Sequence, residues 1–147
     1  MVERSDVVVI GGAIMGASVA FWLTRLAPGI RVRVVEPDPS YANAATALSV
    51  ASIRSQFSNA INVQISRFGI DFIRNFSSWT GPEGGVADLG LTENGYLFLA
   101  GTDDGAATAR EIAAMQQGLG AATEVLDRAA LAHRFPCLAL HDVVAGS

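Results

Sequence analysis

Residues 7–16 read Val7-Val8-Val9-Ile10-Gly11-Gly12-Ala13-Ile14-Met15-Gly16, and Glu36 follows twenty residues later. An apolar strand, a glycine turn, a helix start, a second strand and an acid, in that order, are what a βαβ dinucleotide site requires. Gly11 permits a backbone conformation that a side chain resists. The N–H groups after it, and the start of the helix, present partial positive charge to a pyrophosphate. Gly16 lets the helix approach the strand. Glu36 can accept hydrogen bonds from a ribose diol, and its charge repels a 2′-phosphate. Ala13 stands where the strict G-x-G-x-x-G pattern has its second glycine. One methyl group there narrows the space for the pyrophosphate without closing it.

The elements that must position this turn are legible around it. Val7 to Ile10 is a continuous apolar run, the mark of a parallel strand covered on both faces. Met15 to Leu26 is helical, with Val19, Leu23 and Leu26 on one side and Pro28-Gly29 as its stop. Ile30 to Glu36 alternates and ends at Pro37.

From Asp38 to Ser58 the chain is rich in Ala, Ser and Asn, and it leaves the carboxyl end of the second strand, where ligands of open α/β sheets lie. Asn59 to Trp79 reads as one helix, with Ile65, Phe68, Phe72, Phe76 and Trp79 as a core stripe. Arg67, Asp71 and Arg74 are spaced to pair along it. Gly81-Pro82-Glu83-Gly84-Gly85 breaks the pattern. Leu91 to Ala100 reads as a strand. Thr102 or Asp103 caps a helix to about Leu119, with Ile112, Met115 and Leu119 inward. Glu124 to Leu126 is a short strand, and Asp127 caps a last helix that ends before Pro136.

The chain has 147 residues, half of them hydrophobic and 16% charged, enough for a folded core. Its net charge of −4 gives no reason to expect nucleic acid or an anionic membrane as partner. All ten basic residues are Arg, so a Schiff-base lysine cannot come from this chain. Cys137 is the single cysteine, which excludes an intrachain disulfide; its apolar neighbours suggest a small buried hydrophobe rather than a nucleophile. No residues are spaced as metal ligands. His133 and His141 are expected to be packed or exposed rather than catalytic. The lead to the first strand lacks the features of a signal peptide, and no run approaches the roughly 18 apolar residues of a membrane span. A cytoplasmic location is expected.

The later segments point to a family. The stretch from Asp6 to Ser18 is similar to the FAD fingerprint of the flavin-dependent amine and D-amino-acid oxidoreductases, the group of sarcosine, glycine and dimethylglycine oxidases. Ala47-Leu48-Ser49-Val50-Ala51-Ser52-Ile53-Arg54-Ser55-Gln56-Phe57-Ser58 resembles the segment that passes beside their isoalloxazine ring. Gly95 to Leu99 resembles the first strand of their substrate domain, and Val125 to Pro136 the helix after the next strand.

The resemblance implies an α/β fold, in which a Rossmann-type FAD-binding βαβ unit (residues 1–85) is followed by the start of an α+β substrate domain (86–147). It implies FAD held at Gly11, Gly12, Ala13, Ile14, Met15, Gly16 and Glu36, with Ser49, Ser52 and Gln56 as further candidate contacts. It implies oxidation of the C–N bond of a small amine or amino acid, by hydride transfer to the flavin. Arg54 is the residue expected to pair with a substrate carboxylate, since a guanidinium can hold one bidentately. Chains of this family are much longer, so the sequence is expected to be an N-terminal fragment, a truncated product or one subunit of a split enzyme. Three activities stay open: the oxidoreductase or its cofactor-binding part, a non-catalytic nucleotide-binding remnant, and a nicotinamide-dependent dehydrogenase resting on the βαβ unit alone.

Overall fold

A computed structural model of the chain describes residues 4–81 and 88–147. Two compact units divide it, Met1–Ser52 and Ile53–Ser147. The expected domain boundary at 85/86 lies outside the described residues.

The first unit is a βαβ hairpin of parallel strands. β1 (Val7–Ile10) pairs with β2 (Val32–Val35) from Val7↔Val32 to Ile10↔Val35, and α1 (Ile14–Leu26) connects them. An ion pair pins the register just before both strands begin. Arg31 donates from its backbone N–H and from Nε to Asp6 Oδ2, at 2.9 and 3.0 Å, and from Nη2 to Asp6 Oδ1 at 2.8 Å. These bonds, the side-chain ones foremost, lower the Asp6 carboxyl to a pKa of about 2.

The continuous apolar run of β1 is not covered on both faces. Val9 meets α1 near Gly16, whereas Val8 is 55% and Ile10 88% exposed. Val19 and Leu26 of α1 are exposed as well, so the stripe expected on this helix is not a buried one. No described residue of this unit is buried. Two strands and one helix have too few layers to enclose a parallel sheet.

The second unit is α+β. Its helices are α2 (Ala60–Arg74), α3 (Phe76–Thr80), α4 (Asp103–Gly118) and α5 (Arg128–Arg134). Its strands are β3 (Leu99–Ala100), β4 (Leu126–Asp127) and β5 (Ala145–Gly146), in the antiparallel order β3-β5-β4. Val63, Ala106, Ala113, Leu131, Val143 and Ala145 form the core. A side chain at Gly146 would press on Leu131, Leu99 and Leu97, at 3.0 to 3.2 Å from its Cβ.

Caps start these helices where side chains supply them. Asn59 Oδ1 accepts from Ile61 N at 3.0 Å, Thr102 Oγ1 from Gly105 N at 3.1 Å and Asp127 Oδ1 from Ala130 N at 2.8 Å.

Several expectations need correction. The helix expected over 59–79 breaks at Asn75, whose Nδ2 bonds the Asp71 carbonyl and carboxylate, both at 3.0 Å. Its aromatic rings do cluster, with Phe72 at 5.6 Å from both Phe76 and Trp79. Yet Ile65 and Phe68 are more than half exposed, so the stripe is only partly core. Arg74 pairs with Glu93, and Arg67 donates to the Leu119 carbonyl at the end of α4.

The fully buried residues of α4 are Ala106, Ala113 and Gln116, while the expected Ile112, Met115 and Leu119 are half-buried. Only Leu99–Ala100 of the expected 91–100 strand is paired as strand, because Gly95 at φ +77° turns the chain before it. Cys137 is exposed, since it lies beyond α5 where the chain turns away from the core.

Candidate cofactor-binding site

The glycine turn grows directly out of the β1–β2 ladder. Gly11 N donates to Val35 O at 2.8 Å, one residue beyond the strand. The chain then reverses at Gly11, whose φ of +92° favours glycine. A Cβ on Gly16 would lie 1.8 Å from the Gly11 carbonyl oxygen, a backbone atom that cannot yield. Thus the last glycine of the motif is required by packing between the turn and α1.

Ala13 caps α1 without a side-chain hydrogen bond. Its backbone is extended, and the N–H groups of the first helical turn lack intrahelical acceptors. They are the donors that an anion can take.

Glu36 joins this turn to the end of β2. Its Oε2 accepts from Gly12 N at 2.6 Å, and its Oε1 from Asp38 N at 2.9 Å. The carboxylate is therefore fixed beside the turn with acceptor capacity remaining on both oxygens. Past Asp38 the chain forms a compact turn. Asp38 Oδ1 accepts from the Ser40 N–H at 3.0 Å and hydroxyl at 2.5 Å, which lowers the Asp38 pKa. Tyr41 N in turn donates to Asp38 O at 3.0 Å.

These pieces border a shallow, open groove of about 370 Å³. Gly12, Ala13, Ile14 and Ala17 line it from the turn and α1, and Tyr41, Ala44, Thr46 and Ala47 from the loop after β2. Of the expected contacts, Gly12, Ala13 and Ile14 line this groove, and Gly11, Gly16 and Glu36 shape it. Met15 is 76% exposed and is not part of the lining. Ser49 is engaged locally: its hydroxyl donates to Thr46 O at 2.9 Å and accepts from Ala51 N at 3.0 Å. Ser52 is exposed. Tyr41, Ala44 and Ala47 were not read from the sequence as site residues. The available signal was that Tyr41 is the one aromatic residue between Asp38 and Gln56.

The uncapped N–H groups at the start of α1, the fixed Glu36 carboxylate and the small residues at the turn are the donor and acceptor set that the pyrophosphate and ribose of FAD would require.

Arg54 belongs to the second unit. Its guanidinium carbon lies 4.7 Å from the Phe57 ring centroid and 5.5 Å from that of Phe98. Among the described residues it forms no ion pair, and its side chain is exposed. The aromatic contacts hold the charge without neutralising it. A buried relay anchors the same segment: Thr123 Oγ1 donates to Gln116 Oε1 at 2.7 Å, and Gln116 Nε2 donates to the Phe57 carbonyl at 2.9 Å. Next to Arg54 in this segment, Gln56 Oε1 is buried and has no hydrogen-bond partner. His133 and His141 are exposed. Among the described residues no cluster of His, Cys, Asp and Glu can hold a metal ion, and no helix is long and apolar enough to cross a membrane.

Comparison with known proteins agrees with this geometry. The chain is 42% identical over 149 residues to the FAD-dependent oxidoreductase domain-containing protein 1 of Bos taurus, covering 99% of this chain and 30% of that one. The Drosophila melanogaster homologue is 39% identical over 142 residues, covering 96% and 27%. The chain therefore spans about 30% of the length of the curated relatives it matches.

Among solved structures, L-proline dehydrogenase from P. horikoshii superposes with a TM-score of 0.77 at 27% identity, over 99% of this chain and 36% of that one. Glycine oxidase from Bacillus cereus superposes with a TM-score of 0.61 at 23% identity, over 97% and 38%, which is a likeness of fold. The fold is the α/β, Rossmann-type arrangement of FAD-binding oxidoreductases. Residues 6–147 match the DAO family, described as FAD dependent oxidoreductase, and the chain belongs to that family.

Proposed function

We propose that this chain is the cofactor-binding part of an enzyme that oxidises the C–N bond of a small amine or amino acid. The observation that carries the reading is the groove lined by Gly12, Ala13 and Tyr41, with the Glu36 carboxylate bonded to the turn at Gly12 N. In this reading Gly11, Gly12, Ala13, Ile14, Met15 and Gly16 hold the pyrophosphate, and Glu36 holds the ribose. Ser49 and Ser52 lie on the path toward the flavin ring. FAD supplies the hydride acceptor when bound, and the protein's part is binding, orientation and electrostatics.

Arg54 holds the substrate carboxylate. An exposed guanidinium, backed by two rings and with no acidic partner among the described residues, suits that role. The likeness to a proline dehydrogenase supports an amino acid as substrate. Residues 1–85 are assigned to the FAD-binding domain and 86–147 to the substrate domain, in a cytoplasmic protein. A further portion of the same protein, or a second subunit, covers the open face of β1 and β2.

That open face also favours a second reading, a nucleotide-binding module without catalysis of its own. Titration of the purified chain with FAD, followed by anaerobic addition of sarcosine, L-proline or a D-amino acid, separates the two. The oxidoreductase reading expects quenched flavin fluorescence, then bleaching of the yellow colour. Uptake of FAD without bleaching leaves the module. Absence of FAD uptake overturns both, and uptake of NADH in its place points to a nicotinamide enzyme.

A further inference from the structure

Tyr41 is held in a conformation its residue type resists. Its φ is +56°, in the left-handed region that a bulky side chain rarely adopts. Such residues persist where the surrounding structure over-determines them, and they cluster at ligand sites. The surrounding turn does fix it: Tyr41 N donates to Asp38 O, and Tyr41 O accepts from Ala44 N, both at 3.0 Å. The side chain reaches the glycine turn, and its hydroxyl lies over Gly12. A Cβ built on Gly12 would stand 2.9 Å from the Tyr41 hydroxyl and 3.3 Å from Glu36 Cβ, so both side chains converge over the same point of the turn.

The order of groups along the groove follows. The uncapped start of α1 takes phosphate, and the Glu36 carboxylate takes the ribose. The base is the next group along a nucleotide. What the groove offers besides the turn is one aromatic ring, Tyr41, in a lining that otherwise includes the small side chains Ala44, Thr46 and Ala47 of the same loop. A ring beside small side chains suits a flat π-system, because every base presents a π-face for stacking.

We propose that Tyr41 is the stacking wall for the adenine ring of the bound cofactor. Its strained backbone is the means of aiming the ring, and its hydroxyl lies at the ribose end. This role rests on the reading of the groove as an FAD site. The contribution is from the ring, so Tyr41→Phe retains it and Tyr41→Ala loses it.

ADP is the suitable probe, since it carries the adenosine and pyrophosphate without the flavin. Calorimetric titration of the chain should show ADP affinity about tenfold weaker in Tyr41→Ala and within about threefold of the parent in Tyr41→Phe. A merely structural role for the ring can also weaken binding, so a direct readout is needed. The chain has two tyrosines, Tyr41 and Tyr96. With ring-labelled tyrosine, the NMR signal absent from Tyr41→Phe belongs to Tyr41. At saturating ADP that signal should shift and show cross-relaxation to the adenine protons, while the Tyr96 signal stays in place. ADP binding with an unmoved Tyr41 signal, or with unchanged or tighter affinity in Tyr41→Ala, overturns the role of Tyr41 alone. A chain that binds neither ADP nor FAD overturns the cofactor reading together with it.

Discussion

The two compact units of this chain divide the work of folding and of chemistry unequally. The Ile53–Ser147 unit holds every buried residue described, from Val63 through Leu131 to Ala145. The Met1–Ser52 unit holds the glycine turn, Glu36 and the groove, yet leaves Ile10 88% and Leu26 78% exposed. Burial of apolar area is the main stabilising term, at roughly 25 cal/mol per Å². The unit with the clearer motif thus has the weaker basis for stability. A recognition motif specifies local backbone geometry, and it does not bring its own core.

Truncation of buried and exposed side chains should reveal this contrast most sharply. Leu131→Ala removes a fully buried side chain and should lower stability by about 3 kcal/mol in chemical denaturation. Ile10→Ala should change it by less than about 0.5 kcal/mol, since the side chain is already in water. Equal effects would break the comparison.

Gly16→Ala tests the geometry rather than the burial. Its Cβ would meet the Gly11 carbonyl, so α1 must shift from the turn, at a cost of about 2 kcal/mol. Amide exchange should accelerate in residues 7–35 and stay unchanged around α5. Faster exchange in both units would show that they unfold together.

Glu36→Ala removes the acceptor at the end of β2. FAD affinity should fall about tenfold, which fluorescence titration reads directly. Unchanged affinity would move the ribose elsewhere and leave the first unit without an assigned role for its acid.

The smallest effect is expected at Asp6. Arg31 depresses its carboxyl from 3.8 to about 2. A depressed carboxylate contributes stability that is complete above its ordinary value and fades as the pH falls from about 4 toward 2. The pair is exposed, so salt screens it and the effect is modest. Acid unfolding of the first unit should therefore begin at slightly higher pH in Asp6→Asn. Coincident curves would remove the pair from the stability of that unit.

The βαβ unit was legible in the sequence because its signals are local. Strand, turn, helix and acid each state themselves within a few residues, and the structure places Gly11, Gly16 and Glu36 around one turn. The caps at Thr102 and Asp127 are local in the same sense, and each forms.

What the sequence concealed depends on distant partners. Nothing near Gln116 says that it is buried between Thr123 and the Phe57 carbonyl. Nothing near Cys137 says that its side chain is exposed. No strand is expected from the sequence near the end of the chain, and Ala145–Gly146 forms one by pairing with two distant segments. Tyr41 lay unnoticed in a loop of small residues, since its importance is a matter of backbone angle and of what stands opposite.

The sheet of the second unit has a consequence in time. β3 and β4 do not neighbour each other; each bonds to β5, at Ala145 and Gly146. During synthesis both outer strands are made before the strand that joins them, β3 well before it and β4 shortly before. Until then Leu131 has no Gly146 to pack on, and the edges of both strands stand open. Closure of this sheet therefore waits for β5 and, through β3, joins segments remote in the chain, a kind of contact that forms slowly and leaves edges open meanwhile.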